Sequence, residues 1–164
     1  MDALDLLRDQ TANADRILRQ VFGTVTPDQA AWRMTGSMAN TIGATFMHVY
    51  HSEDQVVQTA LETPTVFEAE GWRERLGYDH SGVWTFAGKH DLGLLLEYAE
   101  VVSAATKAYL SSLEPGALEQ EIDTPRGRQP RVSRLSVYLV SHKFQHTGEI
   151  AALLGCQGAK GLPF

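Results

Sequence analysis

Four long stretches of apolar residues at helical spacing constrain the fold of this chain more than any other feature. A repeat of three to four residues places the apolar side chains of each stretch on one helix face. Capping and helix-breaking residues put the expected helices at about 3–21, 40–61, 91–113 and 133–155, the last capped by Ser133 and closed by Gly155. Such helices must bury their apolar faces against one another. The pattern therefore predicts an all-α fold, a four-helix bundle with long connections between helices 2 and 3 and between helices 3 and 4.

The two long connections carry weaker structural signals. Residues 62–90 are expected to hold a short helix over 72–76, and 120–130 at most a short hairpin. Trp72, Tyr78 and Trp84 in the first connection can either wall a substrate pocket or pin the loop to the bundle, and pinning is favoured. His80 and His90 lie in or beside the same loop. We expect both to be exposed, and neither has ligand-like spacing.

Length, charge and cysteine content narrow the class of protein. A chain of 164 residues fits a single domain, 1–164, that can bury a core without disulfides. One cysteine excludes an internal disulfide and favours a reducing cytoplasm. A net charge of −6 argues against nucleic-acid or anionic-membrane binding. No apolar run reaches the roughly 18–20 residues of a membrane span, and the N-terminus lacks the apolar core of a signal peptide. We expect a cytoplasmic protein that binds neither nucleic acid nor membrane.

The fourth helix carries polar residues where its apolar stripe should continue. Steps of four and three residues align Leu135 and Leu139 with His142, His146 and Glu149. Buried polar groups without partners cost about 1–3 kcal/mol each, so these side chains need hydrogen bonds or a metal ion. Histidines at i and i+4 can reach one ion. The spacing alone fits two hydrogen-bonded histidines as well as a metal pair, and their position in the stripe favours the metal.

A third ligand would have to come from another helix, and the second helix offers His48 and His51. Neither lies at the centre of that helix's apolar stripe, whereas Glu53 does. Helical periodicity therefore leaves the choice between the two histidines open. Glu149, one turn beyond His146, is placed either as a further ligand or as an acceptor that orients a histidine.

The two segments together resemble the DinB/YfiT-like metal-binding four-helix bundles. The segment IGATFMH at 42–48 fits that family's I-G-x-x-x-x-H pattern, and Glu53 is the acidic residue that follows five positions after the histidine. The segment HKFQHTGEI at 142–150 fits the family's H-x-x-x-H followed by Gly, an acid or amide, and Ile. Both motifs occur in the expected order along the chain, which makes the pair more specific than either motif alone.

The resemblance implies a divalent metal ion, zinc or nickel, held by His48, His142 and His146 and completed by water. It favours His48 over His51, although His51 stands where the family often has a small polar or acidic residue and could be a fourth or substitute ligand. Glu149 becomes a support for the site rather than a ligand. The catalytic group would be the metal centre itself, because the sequence places no other catalytic residue.

Three protein ligands leave an open coordination position, as in catalytic zinc sites. A metal there could activate water for hydrolysis, or hold a substrate thiol as thiolate. The family includes transferases and isomerases that use low-molecular-weight thiols such as bacillithiol, mycothiol or glutathione. The resemblance therefore implies an enzyme that transfers a thiol cosubstrate to an electrophilic small molecule, and a homodimer. The alternatives are a non-catalytic metal-binding stress-response bundle and a metal-dependent hydrolase.

Overall fold

The computed structural model describes residues 2–114, 116–124 and 127–162. The helices and strands are α1 (Ala3–Phe22), α2 (Pro27–Ala31), α3 (Ile42–Leu61), α4 (Val66–Ala69), α5 (Trp72–Leu76), α6 (Leu92–Ser112), β1 (Glu121–Ile122), β2 (Gln129–Pro130), α7 (Arg131–Leu135) and α8 (His142–Cys156). A π-helical stretch, Ser136–Ser141, joins α7 to α8, so that the three form one continuous last segment. The predicted all-α fold is confirmed. None of the described helices is long and apolar enough to cross a membrane.

Side-chain caps set where the long helices begin. The carboxylates of Asp2 and Asp91 and the hydroxyl of Thr41 each accept a hydrogen bond from the backbone N–H three residues further on, at 2.8–3.2 Å. Each cap satisfies one of the four N–H groups that a helix start leaves without an internal partner. The sequence-based starts were therefore correct to within two residues for the first three long helices.

The four long segments pack around an apolar interior that consists of two clusters of buried side chains. The most extensive contacts join α1 to α8, α8 to α3, and α3 to α6. Helix α6 also contacts α1. Large buried side chains from different helices meet at the centre, and the rings of Phe22 and Phe46 stack at 3.6 Å between centroids. In the first long connection, the predicted short helix over 72–76 is present as α5, and Trp72 and Tyr78 are buried in the same core. These two aromatic residues pin the connection to the bundle.

The start and the end of the last segment differ from the prediction. Ser133 is not a cap but lies inside α7, which begins at Arg131 directly after the hairpin strand that ends in Pro130. The helix also continues through Gly155 to Cys156. The predicted hairpin is present as the antiparallel pair of β1 and β2, and its residues 125–126 lie outside the described part of the chain. Because the hairpin ends at Pro130, the last helical segment begins at Arg131, two residues before the predicted start at 133.

The π-helical stretch changes which face of the last segment is buried. The backbone N–H of His142 donates to the carbonyl of Val137, five residues earlier, so this turn holds one residue more than an α-helical turn. The buried stripe of Leu135 and Leu139 consequently continues with Lys143, which is fully buried. His142 and its partner His146 are only half-buried, at the edge of that face. The predicted alignment of both histidines on the centre of the leucine stripe was therefore wrong.

A close contact holds the start of α3 against His90, which lies two residues before α6 begins. His90 is buried, its Nδ1 lies 3.0 Å from the hydroxyl of Tyr78, and its ring packs directly on Gly43. A β-carbon at position 43 would lie 2.2 Å from His90 Cδ2, so only glycine fits without displacement. The expectation that His90 is exposed was wrong, because the long connection folds back over α3 before α6 begins.

Candidate metal centre

Three histidine side chains from two helices converge at the edge of the bundle. His48 comes from α3, and His142 and His146 come from successive turns of α8. The Nε2 atom of His142 lies 3.2 Å from Nε2 of His48 and 3.1 Å from Nε2 of His146. All three side chains are half-buried, and one ligand atom from each lies within 4.8 Å of the others. The structure thus brings together the three residues that the resemblance implied.

The spacing of these nitrogen atoms fits a single metal ion. Zinc–imidazole bonds of about 2.0–2.1 Å in tetrahedral geometry place neighbouring nitrogen atoms about 3.3 Å apart. The two Nε2 separations at His142 are close to that value. Imidazole nitrogen is also a donor that zinc and nickel accept. The donor set and its spacing both fit a divalent metal ion.

The environment keeps the imidazoles in the form that binds metal. Burial lowers the pKa of His48 to about 3, and the charges that His142 and His146 would carry act in the same direction. Burial also lowers the pKa of His142 to about 4, with a further contribution from His146. A histidine coordinates metal through the lone pair of its neutral ring. Both rings are therefore neutral at physiological pH.

Glu149 lies behind His146. Its Oε2 atom is 2.7 Å from His146 Nδ1, on the side of the ring opposite the cluster. A carboxylate only accepts hydrogen bonds, so Nδ1 is the donor here, and a neutral ring held in this way turns its Nε2 lone pair towards the other two histidines. This geometry fits the supporting role expected for Glu149.

His80 plays the corresponding part behind His48, which sequence reasoning missed. Its Nε2 atom lies 3.1 Å from His48 Nδ1, and its ring stacks on that of His51 at 4.3 Å between centroids. When Nε2 of His48 faces the cluster with its lone pair, Nδ1–H donates to His80. The prediction that His80 is exposed was wrong, since the side chain is half-buried. No spacing in the sequence could have revealed it, because the contact depends on the path of the long connection.

His51 lies outside the cluster. It is 6% exposed and packs edge-on against Phe67 as well as on His80. Periodicity left open which of the two histidines joins the pair on α8, and the geometry favours His48, because His48 and not His51 faces the histidines of α8. His142 differs from the other two members of the cluster, because its Nδ1 atom is buried and has no hydrogen-bond partner among the described residues.

Two aromatic rings lie beside the histidines, one from the long connection between α3 and α6 and one from the π-helical stretch that precedes α8. The ring of Trp84 lies 5.0 Å from His48, and that of Tyr138 lies 5.8 Å from His142. Both aromatic side chains are half-buried. Of the three loop aromatics considered from the sequence, only Trp84 borders the site, whereas Trp72 and Tyr78 belong to the core.

Comparison with known proteins agrees with this architecture. The sequence profile of the DinB superfamily matches residues 10–150. The fold is similar to a crystal structure described as the conserved protein of locus from Enterococcus faecalis, with a TM-score of 0.78 and 16% sequence identity over 93% of this chain and 95% of that chain. At that identity the likeness concerns the fold alone. No curated protein sequence matches the chain significantly.

Proposed function

This chain belongs to the DinB superfamily, and we propose that it is a metal-dependent enzyme that transfers a low-molecular-weight thiol to an electrophilic small molecule. One observation carries the proposal, namely the convergence of the Nε2 atoms of His48, His142 and His146. Three imidazoles on one ion leave a coordination position for a substrate, which is typical of catalytic rather than structural sites.

Zinc or nickel is the proposed ion, because both accept imidazole nitrogen. A bound ion would supply a Lewis acid that lowers the pKa of a thiol at the open position towards neutrality. The residues around it have separate tasks. Glu149 and His80 hold the rings of His146 and His48 in the orientation that points Nε2 at the ion.

The aromatic border of the site suits an apolar electrophile. Trp84 and Tyr138 offer flat apolar surfaces beside the histidines. In the transfer, the thiolate sulfur attacks the electrophilic carbon of the second substrate and forms a carbon–sulfur bond. The bond to the leaving group breaks, the leaving group departs with the electron pair, and the proton of the thiol passes to solvent.

Elemental analysis of the purified protein tests the metal site. We expect the wild-type protein to retain zinc or nickel, and the His48→Ala and His146→Ala variants to lose it. His51→Ala is the matched control, because it removes a buried histidine three residues along the same helix but outside the cluster. Equal metal content in the wild-type protein and His146→Ala would contradict the site.

A thiol-transfer assay tests the chemistry. A chromogenic aryl halide is offered with glutathione, bacillithiol or mycothiol, and turnover should disappear with a chelator and in His146→Ala. Turnover of a chromogenic ester without any thiol would favour the alternative of metal-dependent hydrolysis. Stable metal binding without turnover of any substrate would favour a non-catalytic metal-binding protein of the stress response.

Quaternary structure and location complete the proposal. We propose a cytoplasmic homodimer, on the strength of the family resemblance and the single cysteine. Light scattering on the purified protein tests the dimer, and fractionation of cells that express the full chain tests the location. A monomer at micromolar concentration, or recovery of the protein outside the cytoplasmic fraction, would contradict the corresponding part.

A further inference from the structure

A second cavity lies between α1 and α6, and its lining includes none of the three clustered histidines. Its volume is about 580 Å³, within the range typical of small-molecule sites. Glu53 of α3 and Lys143 of α8 contribute to its lining from across the bundle, while Thr11 and Thr106 belong to the two helices that flank it. All four long helical segments therefore contribute to one cavity.

Buried charges in this lining are unequally satisfied. Lys143 is fully buried, with Nζ 2.9 Å from Asp15 Oδ1 and 2.8 Å from Glu53 Oε2. Asp15 also accepts hydrogen bonds from Arg19 and from the hydroxyl of Tyr50. Glu53 has only the ion pair with Lys143, whose geometry is not that of a hydrogen bond. The carboxylate of Glu53 is therefore paired by charge with Lys143 but makes no hydrogen bond among the described residues.

Three buried polar side chains on this lining have unused hydrogen-bonding capacity. Both oxygen atoms of Glu53 and the hydroxyl groups of Thr11 and Thr106 have no hydrogen-bond partner within the described part of the chain. All three side chains are more than nine-tenths buried. Native proteins rarely leave such groups unsatisfied, and their concentration on one cavity points to a bound molecule that satisfies them.

We infer that this cavity binds a small aminocarboxylate, with its ammonium group at Glu53 and the threonine hydroxyls. An ionised carboxylate can only accept hydrogen bonds, so the buried end of the ligand must be a donor, and an ammonium group offers three N–H bonds for the carboxylate and the two hydroxyl groups.

The charged side chains at the rim of the cavity indicate the chemistry of the other end of the ligand. Two charged rim residues are already paired, Arg8 with Asp5 and Glu100 with Arg19. Among the described rim residues this leaves Arg16 and Lys107 against a single carboxylate, that of Asp9. The outer end of the ligand is therefore an anion, a carboxylate in the simplest case. The cavity is separate from the proposed metal site and stands independently of the proposed function.

Titration of the full-length protein, followed by amide chemical shifts, tests the inference. Glycine and γ-aminobutyrate are the probes, because they differ in the separation of their two charges. We expect saturable shifts on α1 and α6 with at least one of them, and at least tenfold weaker binding of butyrate and of butylamine. The same titration of His146→Ala should be unchanged, which separates this site from the metal centre.

Substitution of the two threonines by valine tests the contacts, because valine keeps the shape and removes only the hydroxyl. The double variant Thr11→Val/Thr106→Val should remain folded and bind the aminocarboxylate at least tenfold more weakly. Thr45→Val is the matched control, since Thr45 is also buried with an unpartnered hydroxyl but does not line the cavity. No saturable binding of either probe would show that only water fills the cavity and would overturn the inference. Butyrate binding as tightly as γ-aminobutyrate, or unchanged binding in the double variant, would overturn it equally.

Discussion

Replacing Lys143 by methionine should destabilise the fold by about 3–5 kcal/mol, because it leaves a buried carboxylate without its countercharge. The ammonium group of Lys143 lies within 3 Å of both Glu53 and Asp15. Asp15 keeps Arg19, at 2.8 Å, after the substitution. Glu53 is fully buried and makes no ion pair with another cation among the described residues. The destabilisation therefore arises at Glu53.

Removing the carboxylate as well should restore most of the stability. Buried ion pairs that are replaced together by apolar side chains of similar volume often cost nothing, since the desolvation of both charges is avoided. The double variant Lys143→Met/Glu53→Leu should therefore be close to the wild-type protein. Glu53→Leu alone should cost less than Lys143→Met, because Lys143 keeps Asp15 as its partner.

Urea denaturation followed by circular dichroism measures these differences, with a chelator present so that metal binding does not contribute to stability. For a chain of this size, about 2–4 °C per kcal/mol converts the loss in Lys143→Met to a fall of about 6–20 °C in Tm. A loss of less than about 1 kcal/mol in Lys143→Met would refute the assignment of the buried ion pair. A double variant as unstable as Lys143→Met would refute the assignment of the loss to Glu53.

Three further predictions concern packing, pH and the orientation of the histidines. Gly43→Ala should lower the free energy of unfolding by about 1–3 kcal/mol in urea denaturation, because the added methyl group meets the ring of a buried histidine. Gly148→Ala has open space at its β-carbon and should raise the free energy of unfolding by about 0.5–1 kcal/mol. Equal effects of the two substitutions would contradict the close contact. Burial alone would raise the pKa of Asp15, but its two basic neighbours outweigh it and lower that pKa. The stabilisation that Asp15 contributes is thus present above its unfolded pKa of about 3.9 and is lost as the pH falls through the lower folded pKa. The wild-type protein should therefore lose more stability than Asp15→Asn on acidification below about pH 4. Parallel pH profiles of the two proteins would contradict this role of Asp15. Glu149→Gln and His80→Phe should each raise the metal Kd about 10- to 100-fold in a competition titration. The first substitution weakens the hydrogen-bond acceptor behind the ring of His146, and the second removes the acceptor behind the ring of His48. Unchanged metal affinity in both variants would exclude their orienting role.

Much of the helical architecture could be predicted because it depends on local interactions. Apolar periodicity and helix caps both depend on residues only a few positions apart. The predicted starts at 91 and 40 therefore lie within two residues of α6 and α3, which the structure shows to be capped by Asp91 and Thr41. The start of the last segment was not predicted closely. Ser133 has the side chain of a helix cap, but the helix already begins at Arg131, directly after the hairpin strand that ends at Pro130. The π-helical turn was also invisible in the sequence, and it decides that Lys143 rather than His142 continues the buried stripe.

The amino-acid pattern alone predicts a helical protein whose fourth long helix carries a histidine pair at ligand spacing and whose second long helix offers His48 and His51. The packing of the helices and of the long connection places His48 rather than His51 beside the pair on α8, places His80 behind it, and lines a separate cavity with buried charges. The physical reason is separation along the chain. Side chains within one helix are related by the fixed geometry of 3.6 residues per turn. The contact of His48 with His142 spans 94 residues and that of Lys143 with Asp15 spans 128, and such contacts depend on how whole helices pack.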